Sequence, residues 1–476
     1  MKKVLLTILL FNLLIIKAQY LVSSNKVGPT VLSEYLNLIT FQYNLNLEYD
    51  VDMYKIIYNT VDAHGQPTIA SGALLAPSNP NCFDFPISVY NHGTSLRKID
   101  VPSNDVAETT IGKVFSAGGY FTCMPDYVGM GDSPGLHPYV HSESEATATL
   151  DMVRAAREFI MDSLSMVDNG EVFLTGYSQG GHACMATNKY IQDNNLQSEF
   201  NVIGSAPCSG PYALSVTMAD SITSLTPYSN PGYITYLLAS YQMVYGNIFN
   251  SWSEILQSPY DTIVPPYFSG ENTTLDMGML NSLLPAVMDS LIQDSVLNNF
   301  INDSVEKNHP LWLALLENDN FNWIPENPVN MYYCTADEQV AYTNSLLADS
   351  LMNENGALDV QSINSGTGLS HGDCVFPALV NVFNWFATLK NNCDISNQIK
   401  FLGAEPTIYP NPSTDLLNIY TKTPAQIKIY STNGRIITTK SITEIGAVKV
   451  GQWSEGLYLI EIIYPNYKLN KYFIKQ

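Results

Sequence analysis

The sequence is poor in basic residues. It has 22 Lys and Arg against 44 Asp and Glu in 476 residues, which gives a formal net charge of −22. Such an acidic protein repels phosphate backbones and anionic lipid headgroups, so we exclude nucleic acid as a main partner. A chain of this length predicts roughly two or three domains. Its 46% hydrophobic content excludes global disorder.

The sequence also lacks a long apolar run, since no stretch reaches the roughly 18 residues that a membrane-spanning helix needs. The apolar run of residues 4–16 follows Lys2 and Lys3 and stops before Ala18. This pattern is typical of a secretory signal peptide, and we predict one at residues 1–18. An uncleaved membrane anchor is the alternative. We expect no transmembrane segment in the mature protein.

Metal-binding patterns are missing too. None of the seven cysteines forms a CxxC pair, and no Cys/His group has the spacing of a zinc site. We therefore predict no metal and no cofactor. Because an exported protein meets an oxidising compartment, disulfides are allowed.

The order of predicted elements indicates an α/β fold. A hairpin over residues 49–75 is followed by short apolar strands that alternate with helices, which predicts a parallel sheet with helices on both faces. Ser142 and Glu145 match a capping box that would open one of these helices. The alternation breaks over residues about 209–326, where we predict a mostly helical insertion containing a helix at 280–301.

The motif that carries chemistry is Gly176-Tyr177-Ser178-Gln179-Gly180, between a predicted strand and a predicted helix. In this context G-x-S-x-G predicts a nucleophilic serine on a sharp turn, with the following helix N-terminus favouring negative charge. An ordinary serine in a tight turn is the alternative.

A serine nucleophile needs a base and an acid that orients it. His371 lies in the loop after the last predicted strand, which is the expected position of the base. The predicted strand that precedes the last one in the chain ends shortly before Asp337 and Glu338. We predict Asp337 as the acid because its shorter side chain suits a fixed hydrogen bond, and we keep Glu338 as the alternative.

The oxyanion hole of such a site uses backbone N–H groups. Gln179, directly after the serine, supplies the first. The second is expected in the loop after an early strand, where we predict Thr94, with Gly93 as the neighbouring candidate.

These features together resemble an α/β-hydrolase over about residues 45–392. The segments SGALLAP (71–77), NHGT (91–94) and PDYVGMGDS (125–133) are similar to the secretory lipase and esterase branch that includes Candida lipase-A-like enzymes. The resemblance implies ester hydrolysis without a cofactor, with the insertion forming a cap over the pocket.

The C-terminal region differs in texture and charge. Residues 401–476 hold eight basic and five acidic groups, no histidine, and short β-type runs around the breakers Pro410 and Pro412. We predict a small β-sandwich at 408–476 after a linker at 396–407, with the hydrolase domain at 19–395.

Its segments YPNPS (409–413), IKIYSTNGRII (427–437) and GLYLIEI (456–462) resemble the type A sorting domain of the Bacteroidetes type IX secretion system. This resemblance implies the secretion machinery as a partner. It also implies passage through the periplasm and across the outer membrane to a secreted or cell-surface location.

The hydrolase fold also implies pairings among the cysteines. Its strand order makes the acid and base loops neighbours, so we predict a Cys334–Cys374 disulfide. Cys82 and Cys393 form a second candidate pair. The remaining three cysteines are expected to be buried free thiols: Cys123, Cys184 and Cys208.

Two alternatives to a secreted serine esterase or lipase stay open. A serine exopeptidase shares the fold and triad and captures the peptide amine with paired carboxylates. A surface-binding protein on an inactive hydrolase scaffold belongs to another class. A fluorophosphonate probe separates that class from the two enzymes, because an inactive scaffold would not be labelled.

Overall fold

A computed structural model describes residues 19–391, except 79, 81 and 83, and residues 406–476, except 422, 433, 444 and 465–467. The predicted signal peptide, most of the predicted linker and Cys393 lie outside the described residues. The chain divides into two compact units. The larger one contains residues 85–164 and 168–391 with the described N-terminal residues, and the smaller one is built mainly from residues after Asn391.

The larger unit is organised around one nine-stranded sheet in its described part. Its strands in chain order are β1 (Leu21–Lys26), β2 (Asp50–Val61), β3 (Pro67–Ser78), β4 (Asp84–Asn91), β5 (Phe121–Pro125), β6 (Val167–Tyr177), β7 (Asn201–Cys208), β8 (Val329–Cys334) and β9 (Val360–Gly366). The spatial order is β1-β2-β3-β5-β4-β6-β7-β8-β9.

Strand direction changes across this sheet. β1, β2, β3 and β5 pair antiparallel in succession. β4 pairs in parallel with β5, and the successive strands from β6 to β9 also pair in parallel. All five residues of β5 are buried. Continuous burial of this kind is expected for strands covered on both faces. The predicted hairpin and the predicted α/β fold are confirmed, and the predicted parallel pairing holds for β4 with β5 and for β6 through β9.

Helices connect and cover the strands. They are α1 (Ser33–Ile39), α2 (Thr109–Ala117), α3 (Ser142–Phe159), α4 (Gln179–Asp193), α5 (Asp220–Thr223), α6 (Pro231–Tyr245), α7 (Trp252–Ile255), α8 (Tyr260–Ile263), α9 (Met277–Leu283), α10 (Asp294–Asn302), α11 (Pro310–Glu317), α12 (Thr343–Glu354) and α13 (His371–Leu389). Among the described helices, none combines the length and the apolar character needed to cross a bilayer.

The insertion between β7 and β8 is helical, as predicted, and carries α5 through α11. These helices pack through their own apolar cluster, which includes Tyr241, Leu256 and Leu291. The predicted single helix at 280–301 is wrong, because α9 ends at Leu283 and α10 begins at Asp294. Pro285 lies between them, and a proline lacks the N–H that a continuing helix requires.

The smaller unit is made of antiparallel strands. These are β10 (Thr407–Tyr409), β11 (Leu416–Tyr420), β12 (Ala425–Ser431), β13 (Ile436–Ile442), β14 (Ile445–Lys449), β15 (Gly456–Ile463) and β16 (Lys468–Lys475). They form a three-stranded sheet, β10-β11-β14, and a four-stranded sheet, β13-β12-β15-β16. Buried residues of both sheets share one apolar core, which is the arrangement of a β-sandwich.

Candidate active site

Ser178 occupies the turn between β6 and α4. Its backbone has φ of 60° and ψ of −121°, which is unusual for a residue with a side chain, and only 8% of the residue is exposed. Gly180 makes this turn possible, since a Cβ there would lie 1.9 Å from the carbonyl oxygen of Asn91 at the end of β4. The sharp turn and the tight approach of α4 to β4 are those expected for a nucleophile at the carboxyl end of a central strand.

His371 and Asp337 meet beyond the ends of β9 and β8. The Nδ1 atom of His371 lies 2.7 Å from Oδ2 of Asp337, whose side chain is 1% exposed. The other carboxylate oxygen of Asp337 accepts hydrogen bonds from the N–H groups of Gln339 and Val340. The carboxylate is therefore held from its own loop while it holds the imidazole.

Glu338 has a different position from its neighbour. Its Oε2 accepts the backbone N–H of His371 at 3.0 Å, so it contacts the main chain and not the ring. On the opposite side, the hydroxyl of Tyr177 donates to the carbonyl of His371 at 2.6 Å. The backbone N–H and the backbone carbonyl of His371 are thus both hydrogen-bonded. Because Asp337 contacts the ring and Glu338 the main chain, the geometry favours Asp337 as the partner of the imidazole.

A disulfide ties these two loops together. Cys334, the last residue of β8, is bonded to Cys374 in the first turn of α13, and their Cα atoms are 5.9 Å apart. This prediction is confirmed, and so are the free, buried thiols of Cys123, Cys184 and Cys208. Cys82 is disulfide-bonded, but a Cys82–Cys393 pairing stays a prediction because Cys393 lies outside the described residues.

The candidate oxyanion donors flank Ser178. Gln179 begins α4, and the first N–H groups of a helix have no partner inside the helix. Gly93 is a neighbour of Ser178, since a Cβ on it would lie 4.0 Å from the serine Cβ. However, the Gly93 N–H donates to Oε1 of Glu108 at 2.9 Å. This bond leaves Thr94 as the better candidate in that loop.

A buried polar network behind the serine was not predicted from the sequence. Glu145 is fully buried on α3, and its Oε2 lies 2.7 Å from Nδ1 of His182. Its Oε1 accepts a hydrogen bond from the side chain of Gln179 at 2.9 Å. The same amide nitrogen of Gln179 lies 2.7 Å from Nε2 of His137. The residue after the serine is therefore anchored by its side chain on two sides.

Two consequences follow from this network. Burial lowers the pKa of His137 to about 3, so its ring is neutral and Nε2 can accept from Gln179. The predicted capping box is wrong, because Glu145 turns inward and the helix N-cap is His141, whose side chain accepts the Ser144 N–H. The one sequence signal for the network was the position of His182, four residues and one helical turn after Ser178.

Two cavities meet at Ser178. A cavity of about 560 Å³ is lined by Gly93, Thr94, Ser178 and His371. A cavity of about 60 Å³, bounded largely by the insertion, is lined by Ser178 and Gln179. The sequence-predicted residues are thus brought together, with Asp337 hydrogen-bonded behind His371.

The fold and this arrangement define an α/β-hydrolase. The family model for secretory lipases matches residues 103–367, which is more than half of the chain. The chain therefore belongs to the secretory lipase family and is a carboxylic-ester hydrolase. Residues 407–476 match the secretion-system C-terminal sorting domain, a type IX sorting tail, which implies a secreted or cell-surface protein.

Solved structures of hydrolases are similar to the chain. The rice cell wall degrading esterase LipA from Xanthomonas oryzae is 27% identical, covering 78% of this chain and 96% of LipA, with a TM-score of 0.68. A putative hydrolase from Legionella pneumophila is 25% identical, covering 79% and 100%, with a TM-score of 0.70. No curated protein matches the chain.

Candida antarctica lipase A is a more distant structural neighbour. It is 15% identical to this chain, covering 79% of the chain and 84% of the lipase, with a TM-score of 0.54. At this identity the likeness shows the shared fold. The predicted resemblance to secretory lipases with a C-terminal sorting domain is confirmed by these matches and by the two family models.

Proposed function

We propose that the protein hydrolyses carboxylic esters through an acyl-enzyme formed on Ser178. His371 removes the serine proton as the hydroxyl oxygen attacks the ester carbon. Asp337 holds the imidazole through Nδ1 and stabilises the imidazolium that forms. The observation that carries this proposal is the 2.7 Å pairing of His371 with Asp337 at a cavity that also contains Ser178.

The negative charge that develops on the carbonyl oxygen requires preorganised donors. The N–H groups of Thr94 and Gln179 are our candidates for them. Each such donor typically contributes about 2.7–4 kcal/mol to transition-state stabilisation. A water molecule, activated by the same histidine, then releases the acid and restores the serine.

A probe of the serine tests this function directly. A fluorophosphonate should label the wild-type protein at Ser178, and peptide mapping should locate the adduct there. The matched control is Ser178→Ala, which should not be labelled although it folds. Labelling that persists in Ser178→Ala would reject the proposed nucleophile.

The exopeptidase alternative has less support. An amine-binding site needs paired carboxylates, and among the described residues that line the larger cavity Glu108 is the one acid. Its Oε1 already accepts from the hydroxyl of Tyr90 and from the N–H of Gly93. We therefore propose esters, and not peptides, as substrates. Export through the periplasm and across the outer membrane by the type IX machinery completes the proposal.

A further inference from the structure

The serine lies at the boundary of two cavities that differ greatly in size. Ser178 and Tyr233 line both of them. His371 lines the larger cavity of about 560 Å³, whereas the described residues that line the cavity of about 60 Å³ include Gln179 and not His371. An ester has an acyl portion and an alcohol portion, and the difference in size between the cavities bears on which portion enters which cavity.

The body of the larger cavity is apolar. Ile111 and Val114 of α2 line it together with residues of α13, among them Val375, Leu379 and Val380. The volume falls within the range of about 300–1,000 Å³ that is usual for ligand pockets. Its polar groups include Ser178, His371 and Thr94. This arrangement suits a ligand with one polar end and a large hydrocarbon portion.

The smaller cavity is lined mainly by residues of the insertion. Leu214, Ile222 and Leu237 line it from the insertion, and Val140 lines it from the loop before α3. Leu214 and Leu237 are themselves buried, at 4% and 8% exposed, within the packed core of the insertion. A packed core resists the insertion of additional methylene groups, so this cavity suits a short group.

The chemistry of the leaving group indicates which cavity receives the alcohol portion of the ester. When the tetrahedral intermediate collapses, the carbon–oxygen bond to the alcohol breaks, and its electron pair stays on the alcohol oxygen. The imidazolium of His371 gives that oxygen its proton, and the carbonyl double bond re-forms. The alcohol oxygen must therefore lie beside the imidazole, which borders the larger cavity.

We propose that the alcohol portion of the substrate occupies the larger cavity and the acyl portion the smaller one. The preferred substrates are then esters of a short acid with a large, apolar alcohol. The carboxylate of Glu108 in the same cavity disfavours an alcohol portion that carries negative charge. This inference rests on the proposed function, since it assumes that Ser178 and His371 act together.

Two isomeric esters test it without a difference in composition. Decyl acetate carries its long chain on the alcohol, and ethyl decanoate carries it on the acid. The wild-type protein should hydrolyse decyl acetate with a kcat/KM about tenfold or more above that for ethyl decanoate. A preference for ethyl decanoate would overturn the inference. A protein that hydrolyses neither isomer nor ethyl acetate would instead contradict the proposed function itself.

Variants of residues that line the larger cavity test whether the long alcohol chain binds there. Val114→Trp on α2 and Val380→Trp on α13 each fill part of the larger cavity. Each should lower the ratio of kcat/KM for decyl acetate to that for ethyl acetate by about tenfold. Leu346→Trp on the exposed side of α12 is the matched control and should leave the ratio unchanged. Because the observable is a ratio, a partial loss of folded protein does not alter it. An unchanged ratio in both cavity variants would overturn the assignment.

Discussion

Asp337 and Glu338 are adjacent in sequence, but they hold different parts of His371. The carboxylate of Asp337 lies 2.7 Å from the ring Nδ1, whereas Glu338 accepts the backbone N–H at 3.0 Å. This difference separates the two candidate acids experimentally. It also shows that the position of the imidazole depends on both residues, through its ring and through its main chain.

Asp337→Asn should reduce kcat for ester hydrolysis by about 10⁴-fold, because an amide does not stabilise the imidazolium and favours the wrong tautomer of the ring. Glu338→Gln should lose no more than about fivefold, since the amide oxygen still accepts the backbone N–H. Steady-state kinetics on a soluble ester measures both. A larger loss in Glu338→Gln than in Asp337→Asn would identify Glu338 as the acid.

Ser178 and His371 should act as one unit. Ser178→Ala and His371→Ala should each lower kcat by about 10⁶-fold, and the double variant should be no worse than either single one. The reason is that the base has nothing to activate once the hydroxyl is gone. Circular dichroism controls for folding. Additive losses in the double variant would mean that the two residues do not share a step.

The Cys334–Cys374 disulfide should stabilise the site as well as the fold. Its sequence separation of 40 corresponds to roughly 4 kcal/mol in the chain-entropy model of cross-linking. Replacing both cysteines by alanine should therefore lower the free energy of unfolding by about that amount in a denaturant titration. Activity should fall as well, because Cys334 directly precedes the loop that holds Asp337.

Cys123→Ala provides the control for that experiment. Cys123 is buried and free, so its replacement removes one buried sulfur and no cross-link. Its cost should be about 1 kcal/mol. Equal losses in the two variants would mean that the cross-link itself contributes little.

Acid should destabilise the hydrolase domain partly through buried histidines. Burial lowers the pKa of His137 to about 3 and that of His141 to about 4. The unfolded chain protonates these rings near pH 6.5, so it binds protons that the native protein does not. The stability from these groups is complete above about pH 6.5 and is lost as the pH falls towards the two folded pKa values.

His137→Gln isolates one of these contributions. Glutamine can accept from Gln179 and donate to the Val128 carbonyl, as His137 does, but it does not titrate. The difference in unfolding midpoint between about pH 7 and pH 4 should be smaller in this variant than in the wild type. An identical pH dependence would show that His137 is not kept neutral by the fold.

Local patterns in the sequence were sufficient for the parts of the site that lie on one turn or one loop. The G-x-S-x-G segment predicted the turn at Ser178, and the strand order brought His371 and Asp337 to neighbouring loops. These features depend on backbone geometry and on the order of elements, both of which are visible in a sequence. The role of each residue stays a prediction.

Features that depend on distant partners were missed. Glu145 matched a capping box, but the buried His182 and Gln179 are its actual partners, and neither is near it in sequence. A buried carboxylate without such partners would be costly, so tertiary contacts overrode the local pattern. The strand β1 and the helix α1 were not predicted either. Five of the six residues of β1 are exposed, so the strand lacks the alternation of buried apolar and exposed polar residues from which a strand is predicted.

Residues 401–476 should serve export and not catalysis. They hold no histidine, they carry eight basic and five acidic groups, and the β-sandwich within them has its own buried core. A shortened chain of residues 19–400, produced in a host without the sorting machinery, should keep the specific activity of the full-length protein in a soluble-ester assay. The same truncation in the native host should leave the enzyme in the periplasm.

Mass spectrometry of the natural extracellular protein should find a C-terminus before Tyr409. Loss of activity in the shortened chain, or an intact Gln476 on the mature extracellular protein, would show that the sandwich does more than direct secretion.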